Sequence, residues 1–193
     1  QQLLHTSNLY RIPSQEKLAE KLASLTGMEN MFFGNSGAEA NECAIKIARL
    51  YGHQKGIGEP CIIVADASFH GRTMATLTAT GNRKVQAGFE PLVSGFARVP
   101  YNDLESIEQI AKQMQNVVAV MVEPIQGEAG IQIPDEKYLI GIREICNAQG
   151  WLMILDEVQS GNCRTGAYFC YQHSGIIPDL VTTAKGLGNG VPI

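Results

Sequence analysis

Apolar positions along the chain fall into two kinds of pattern. In the first, they recur at helical spacing. Leu18, Leu22 and Leu25 predict a helix over Glu16 to Leu25. Ala40, Cys43, Ala44, Ile47, Ala48 and Tyr51 form one stripe at i, i+3, i+4, i+7, i+8 and i+11. That helix opens on Ser36-Gly37-Ala38-Glu39, which reads as a capping box. Leu104, Ile107, Ala111 and Met114 predict a third helix over Asp103 to Met114, and a fourth is expected from Glu136 to Ala148. In the second pattern the apolar residues are continuous: Met31–Phe33, Cys61–Ala65, Val117–Val122 and Trp151–Leu155, with a last short run at Leu180–Thr183. Continuous β-branched runs are what a parallel sheet covered on both faces requires. Alternating with helices, they predict an α/β fold of three layers around a mainly parallel sheet.

Such sheets bind ligands beyond the carboxyl ends of their strands, so the residues after each run carry the chemistry. These are Asn35-Ser36-Gly37-Ala38; Asp66, then Ser68-Phe69-His70-Gly71-Arg72-Thr73; Glu123-Pro124-Ile125-Gln126-Gly127-Glu128; Asp156-Glu157-Val158-Gln159; and Ala184-Lys185-Gly186-Leu187-Gly188. Loops need glycine and polar residues in any case, but five such clusters in order point to a site. The helix opening at Ser36 offers free backbone N–H groups and a positive dipole end, and Gly37 permits a close approach, as an anion site needs. Asp156 follows five apolar residues and needs a donor or cation beside it. Lys185, between an apolar strand and a glycine-rich turn, is either the partner of Asp156 in a strand-end ion pair or a desolvated nucleophilic amine. Phe69 suits packing or stacking, and its neighbour His70 has neither a Ser-x-Gly elbow nor a metal-spaced His to support a role as general base.

Composition narrows the class. With 15 Lys and Arg against 19 Asp and Glu, and no basic block, the chain is a poor match for nucleic acid or a membrane surface. No apolar run nears the ~20 residues of a membrane helix. Five scattered cysteines without C-x-x-C argue against a disulfide framework or a zinc site, and no metal is expected. The run Leu152–Glu157 looks like a Walker B strand with Mg²⁺ on Asp156, but no G-x-x-x-x-G-K-[ST] precedes it. No G-x-G-x-x-G supports a nicotinamide site either. A non-catalytic scaffold would not need both an Asp and a Lys at these strand ends. A phosphate seat, a strand-end acid, an aromatic and a strand-end Lys together are what pyridoxal phosphate requires.

Read in order, the segments His5–Tyr10, Asn35–Asn41, Phe69–Thr73, Gly88–Leu92, Glu123–Glu128, Asp156–Gln159 and Ala184–Gly188 resemble the class III aminotransferases of pyridoxal-phosphate fold type I. His5–Tyr10 and Gly88–Leu92 tilt the likeness to the acetylornithine-type branch. The resemblance implies the large cofactor-binding domain of an aspartate-aminotransferase-like fold, spanning 1–193 but partial, without the family's N-terminal segment and C-terminal small domain. It implies that Lys185 bonds to the cofactor and then shuttles a proton, and that Asp156 pairs with the ring nitrogen. Ser36, Gly37 and Ala38 are implied at the phosphate, Phe69 and Val158 on the two ring faces, Gln159 at the phenolic oxygen, and Glu157 beside them. Arg72 is implied on the substrate, and Glu128 on a gating arginine. The implied reaction moves the terminal amino group of N-acetylornithine, or of succinyldiaminopimelate, to 2-oxoglutarate to give glutamate, in a cytoplasmic homodimer. Ornithine and 4-aminobutyrate are the alternative donors within the class.

Two residues depart from the family pattern: Cys163 before Arg164, and Asn189 in a run that is usually all glycine. Asn tolerates positive φ, so the second turn is expected to survive. The ends, Gln1-Gln2-Leu3-Leu4 without an initiator Met and Gly190-Val191-Pro192-Ile193, read as cuts within a longer chain, not as a signal peptide. On that reading the 193 residues alone bind the cofactor weakly and transaminate poorly.

Overall fold

The computed structural model describes residues 5–7 and 9–193. The readings placed on Gln1–Leu4 and on Asn8 lie outside them. The chain forms two compact units, residues 1–33 and 34–193. The first holds helix α1 (Pro13–Thr26), with Pro13 at its first turn and Gly27 closing it at φ 74°. Before it, Arg11 Nε donates to Glu16 Oε1 at 2.6 Å.

The second unit runs α2 (Gly37–Gln54), β1 (Cys61–Ala65), α3 (Met74–Ala79), α4 (Arg83–Gln86), β2 (Phe96–Val99), α5 (Leu104–Gln113), β3 (Val117–Val122), α6 (Tyr138–Gln149), β4 (Leu152–Asp156) and β5 (Leu180–Thr182). The strands form one parallel sheet in the order β2-β1-β3-β4-β5. The α/β fold with a parallel sheet is therefore as the patterns predicted. Every residue of β1 and β3 is buried. Ala44, Ile45 and Ala48 of α2 pack with Ile62 and Val64 of β1, Ala119 and Met121 of β3, and Ile154 of β4. The strand pleat sends Ile63, Val120 and Met153 to the opposite face. Helix α6, which buries Ile142 and Cys146, contacts β3 and β4.

Three expectations shift. Met31–Phe33 is not a strand, and Phe32 is 65% exposed. The sheet instead takes the edge strand β2, which has an arginine in its middle. Arg98 fits there because its guanidinium spans outward, donating to Ala65 O and Thr78 O at 2.8 Å. The α2 stripe is rotated by about one position. Asn41, Ala44, Ile45, Ala48 and Gly52 are buried, whereas Ile47 is exposed. A polar residue thus opens the inward face. The capping box is half-formed: Ser36 Oγ accepts Glu39 N at 3.2 Å, while the Glu39 carboxylate turns to the Asn35 backbone.

The chain leaves β1 for β2 on one side and returns to β3 on the other. This makes the gap between the carboxyl ends of β1 and β3 the switch point, where such sheets bind ligands.

Candidate active site

A cavity of about 600 Å³ opens beyond those strand ends. Ten of the eleven residues singled out in the sequence line it: Ser36, Gly37, Ala38, Phe69, Arg72, Glu128, Asp156, Val158, Gln159 and Lys185. The eleventh, Glu157, points elsewhere. Its buried carboxylate accepts Ser160 Oγ at 2.8 Å, Cys170 N at 2.9 Å and Tyr171 N at 2.8 Å. Successive strand-end residues face opposite ways, so the residue after Asp156 fastens the following loop. Burial pushes the Glu157 carboxyl up, against the pull of those donors.

One wall of the cavity is the start of α2. Its geometry demands glycine at residue 37, since a Cβ there would come within 2.8 and 2.9 Å of the two Val158 methyls and 3.3 Å of Ala184 Cβ. Backbone therefore lies open at the positive end of an 18-residue helix.

Asp156 closes the floor, 3% exposed. Its Oδ2 accepts Asn41 Nδ2 at 2.7 Å and pairs with His70 Nδ1 at 2.8 Å. Its Oδ1 accepts Val158 N at 3.1 Å. Lys185 is not its partner. Of the two readings the sequence left open for Lys185, the strand-end ion pair does not form, and the lysine is exposed, not buried. The reason is backbone shape. Ala184 ends the run after β5, and Lys185 starts a tight turn over Lys185–Gly188 at φ 46°, which swings its amine to Gln159 Oε1. Asn162 holds that turn from the preceding loop, donating to Thr183 Oγ1 at 2.8 Å and Ala184 O at 3.1 Å. A left-handed non-glycine residue costs about 1–3 kcal/mol and persists only where its surroundings hold it. Asn189, the second departure from the family pattern, caps the turn at φ 47°, as its tolerance for positive φ led us to expect. Cys163, the first, is exposed at φ 65°.

Across the cavity, Glu123 follows β3. Its Oε2 accepts Phe69 N at 3.0 Å and so fixes the aromatic beside it. Burial, with the Asp156 charge adding to it, raises the Glu123 carboxyl to about 7 despite His70 and the Phe69 and Gly127 amides. Gly127 leaves room for Gln159, whose Cγ lies 2.7 Å from where a Cβ would be.

In the sequence Glu123 stands at a strand end without a role, His70 is a general base without supporting partners, and Asn41 has no role at all. All three line the cavity. His70 is 2% exposed, and its Nε2 is buried without a protein partner among the described residues. No sequence spacing marks Asn41 and His70, since both act through Asp156, 115 and 86 residues away.

Among known proteins, the family model for class-III aminotransferases matches residues 1–193. The chain is 61% identical over 191 residues to the acetylornithine aminotransferase of Nitrosomonas europaea, covering 99% of this chain and 49% of that one. The ornithine aminotransferase of Toxoplasma gondii, in a structure described as having partial occupancy of PLP at its active site, superposes with TM-score 0.92 at 32% identity. It covers 97% of this chain and 45% of that chain. The N-acetylornithine aminotransferase of Stenotrophomonas maltophilia gives 0.82 at 36% identity over 97% and 46%. The chain spans about half the length of the curated relatives it matches.

Proposed function

The chain belongs to the class-III aminotransferase family, and on that premise we propose that it forms the pyridoxal-phosphate-binding body of an enzyme that moves an amino group from an amino acid to a 2-oxo acid. The observation that carries this is one cavity that joins a buried Asp156, with one lone-pair position left on Oδ1, to the accessible amine of Lys185.

The residues present fit the cofactor. The helix start, bare at Gly37 because a Cβ would strike Val158, suits a phosphate ester held by Ser36, Gly37 and Ala38. Phe69 and Val158 would enclose the ring, and Gln159 would serve its phenolic oxygen. Bound, the cofactor supplies an electron sink for the carbon that loses its proton. Asp156 would keep the ring nitrogen protonated. Lys185 Nζ would hold the cofactor covalently at rest and, once the substrate amine has displaced it, would be free to take the proton from the substrate Cα. A positioned base of this kind contributes ~10²–10⁴-fold. Arg72 and Glu128, both exposed at the cavity mouth, would act on the substrate and on its selection.

Identity to the Nitrosomonas enzyme supports N-acetylornithine as donor, with its terminal amine passed to 2-oxoglutarate to give glutamate. The same proposal covers the homodimer and a cytoplasmic setting. Among the described residues no helix is long and apolar enough to cross a membrane. Residues 1–193 would then belong to the large domain. The test is an absorption titration with pyridoxal phosphate. A visible-edge band in the full-length wild type that is lost in Lys185→Ala supports the cofactor reading, and its absence from the full-length wild type sinks it. Turnover of N-acetylornithine, succinyldiaminopimelate, ornithine and 4-aminobutyrate in parallel ranks the donors.

A further inference from the structure

Asn41 is 1% exposed on the second turn of α2, inside a face otherwise lined by Ala and Ile. A buried amide needs partners for both ends, and here chemistry dictates which end goes where. Its Nδ2 lies 2.8 Å from His70 O and 2.7 Å from Asp156 Oδ2. The carbonyl can only accept, and an ionised carboxylate can only accept, so the amide nitrogen must face them. Its Oδ1 therefore faces Thr182, whose hydroxyl donates at 2.7 Å. Four segments meet on this one side chain: the helix that opens at Gly37, the loop carrying Phe69 and His70, the end of β4, and the strand that leads to Lys185.

We propose that Asn41 is a positioning residue that fixes the carboxylate plane of Asp156 and so aims its unspent Oδ1 lone pair into the cavity. The inference rests on the pyridoxal-phosphate reading above. With Asn41 and His70 both donating to Oδ2, and Val158 N to Oδ1, three of the carboxylate's roughly four acceptor positions are taken by fixed groups. The fourth, on Oδ1, is the one left for a ring N–H. An apolar side chain of the same volume would leave His70 O and the Thr182 hydroxyl unpaired and Asp156 held by His70 and Val158 N alone. The rotated α2 stripe follows: the helix turns a polar residue inward because the site requires a donor there.

The test uses the complete polypeptide loaded with ¹⁵N-ring-labelled pyridoxal phosphate. Asn41→Asp keeps the shape but replaces the donor with an acid. Two carboxyls in contact share a proton, so Asp156 presents less charge to the ring. The ring-nitrogen resonance should move toward its unprotonated position at pH values where the wild type remains protonated. kcat should fall about tenfold or more, the usual size for a lost hydrogen bond to a charged group, with KM for the amino acid changed much less. Thr182→Val, an isosteric change in a strand that accepts Val readily, removes only the group that orients the amide. It should shift the same resonance the same way by less, and it decides the matter if the Asp variant does not fold. A ring-nitrogen titration unchanged in the variants, beside an intact Lys185-dependent band, overturns the proposal. A wild type lacking that band overturns the cofactor reading instead.

Discussion

Glu123→Gln isolates the electrostatic strain at the switch point. The wild-type carboxyl is 4% exposed and raised from 4.5 to about 7, chiefly by burial. The unfolded chain titrates near the ordinary value, so between about 4.5 and 7 the folded state holds a proton that the unfolded state has released. Stability therefore falls as pH rises through that window, and the full penalty stands above pH 7. The gap corresponds to about 3 kcal/mol. Gln keeps an oxygen for Phe69 N and carries no charge, so the variant should escape the penalty. Urea unfolding followed by the fluorescence of Trp151, the one tryptophan of the chain and buried just before β4, reads it directly. At pH 5 the two proteins should be close in stability. At pH 8 the variant should be more stable by up to about 3 kcal/mol, and its pH dependence flatter. Parallel curves for the two proteins from pH 5 to 8 would falsify the assignment of this charge cost to Glu123.

Two further changes probe other parts of the structure. Gly37→Ala drives a methyl into Val158, so we expect a loss of about 1–3 kcal/mol from overpacking, seen as a lower Tm, and weaker pyridoxal phosphate binding in the same absorption titration. Among the five free thiols only Cys163 is exposed, while burial pushes Cys146 up to about 12 and Cys170 up to about 11. Iodoacetamide at pH 8 should therefore label Cys163 first by peptide mass mapping. Labelling of Cys146 at a matching rate in the folded protein would contradict that burial.

Most of the layer plan was legible along the chain. A continuous run such as Val117–Val122 has one good solution, a strand covered on both faces, and β3 takes it. Asp103 announces the start of α5 by its side chain, which accepts Ser106 N at 3.0 Å. Less legible was β2, because Phe96-Ala97-Arg98-Val99 is short, lies at the sheet edge and is interrupted by a charge. Its arginine makes sense only once the carbonyls of β1 and α3 are beside it. Met31–Phe33 erred the other way: three apolar residues satisfy a strand pattern without any partner strand being assured.

The strand ends and their chemistry are thus properties of the sequence, since a chain cannot bury β-branched runs in a parallel sheet without gathering the residues that follow them at one edge. The gathering brought ten of eleven expected residues to one cavity. The direction of each side chain within that edge was decided only by the fold. Glu157 turned to the Cys170 and Tyr171 amides, Lys185 swung to Gln159 on a left-handed turn, and Asp156 found Asn41 and His70 in its place. Periodicity sorts residues by hydrophobicity, so it counted Ile47 as inward and Asn41 as outward. A buried hydrogen-bond donor is worth placing only where its acceptor comes from 115 residues away, and that pairing exists only after the sheet has formed.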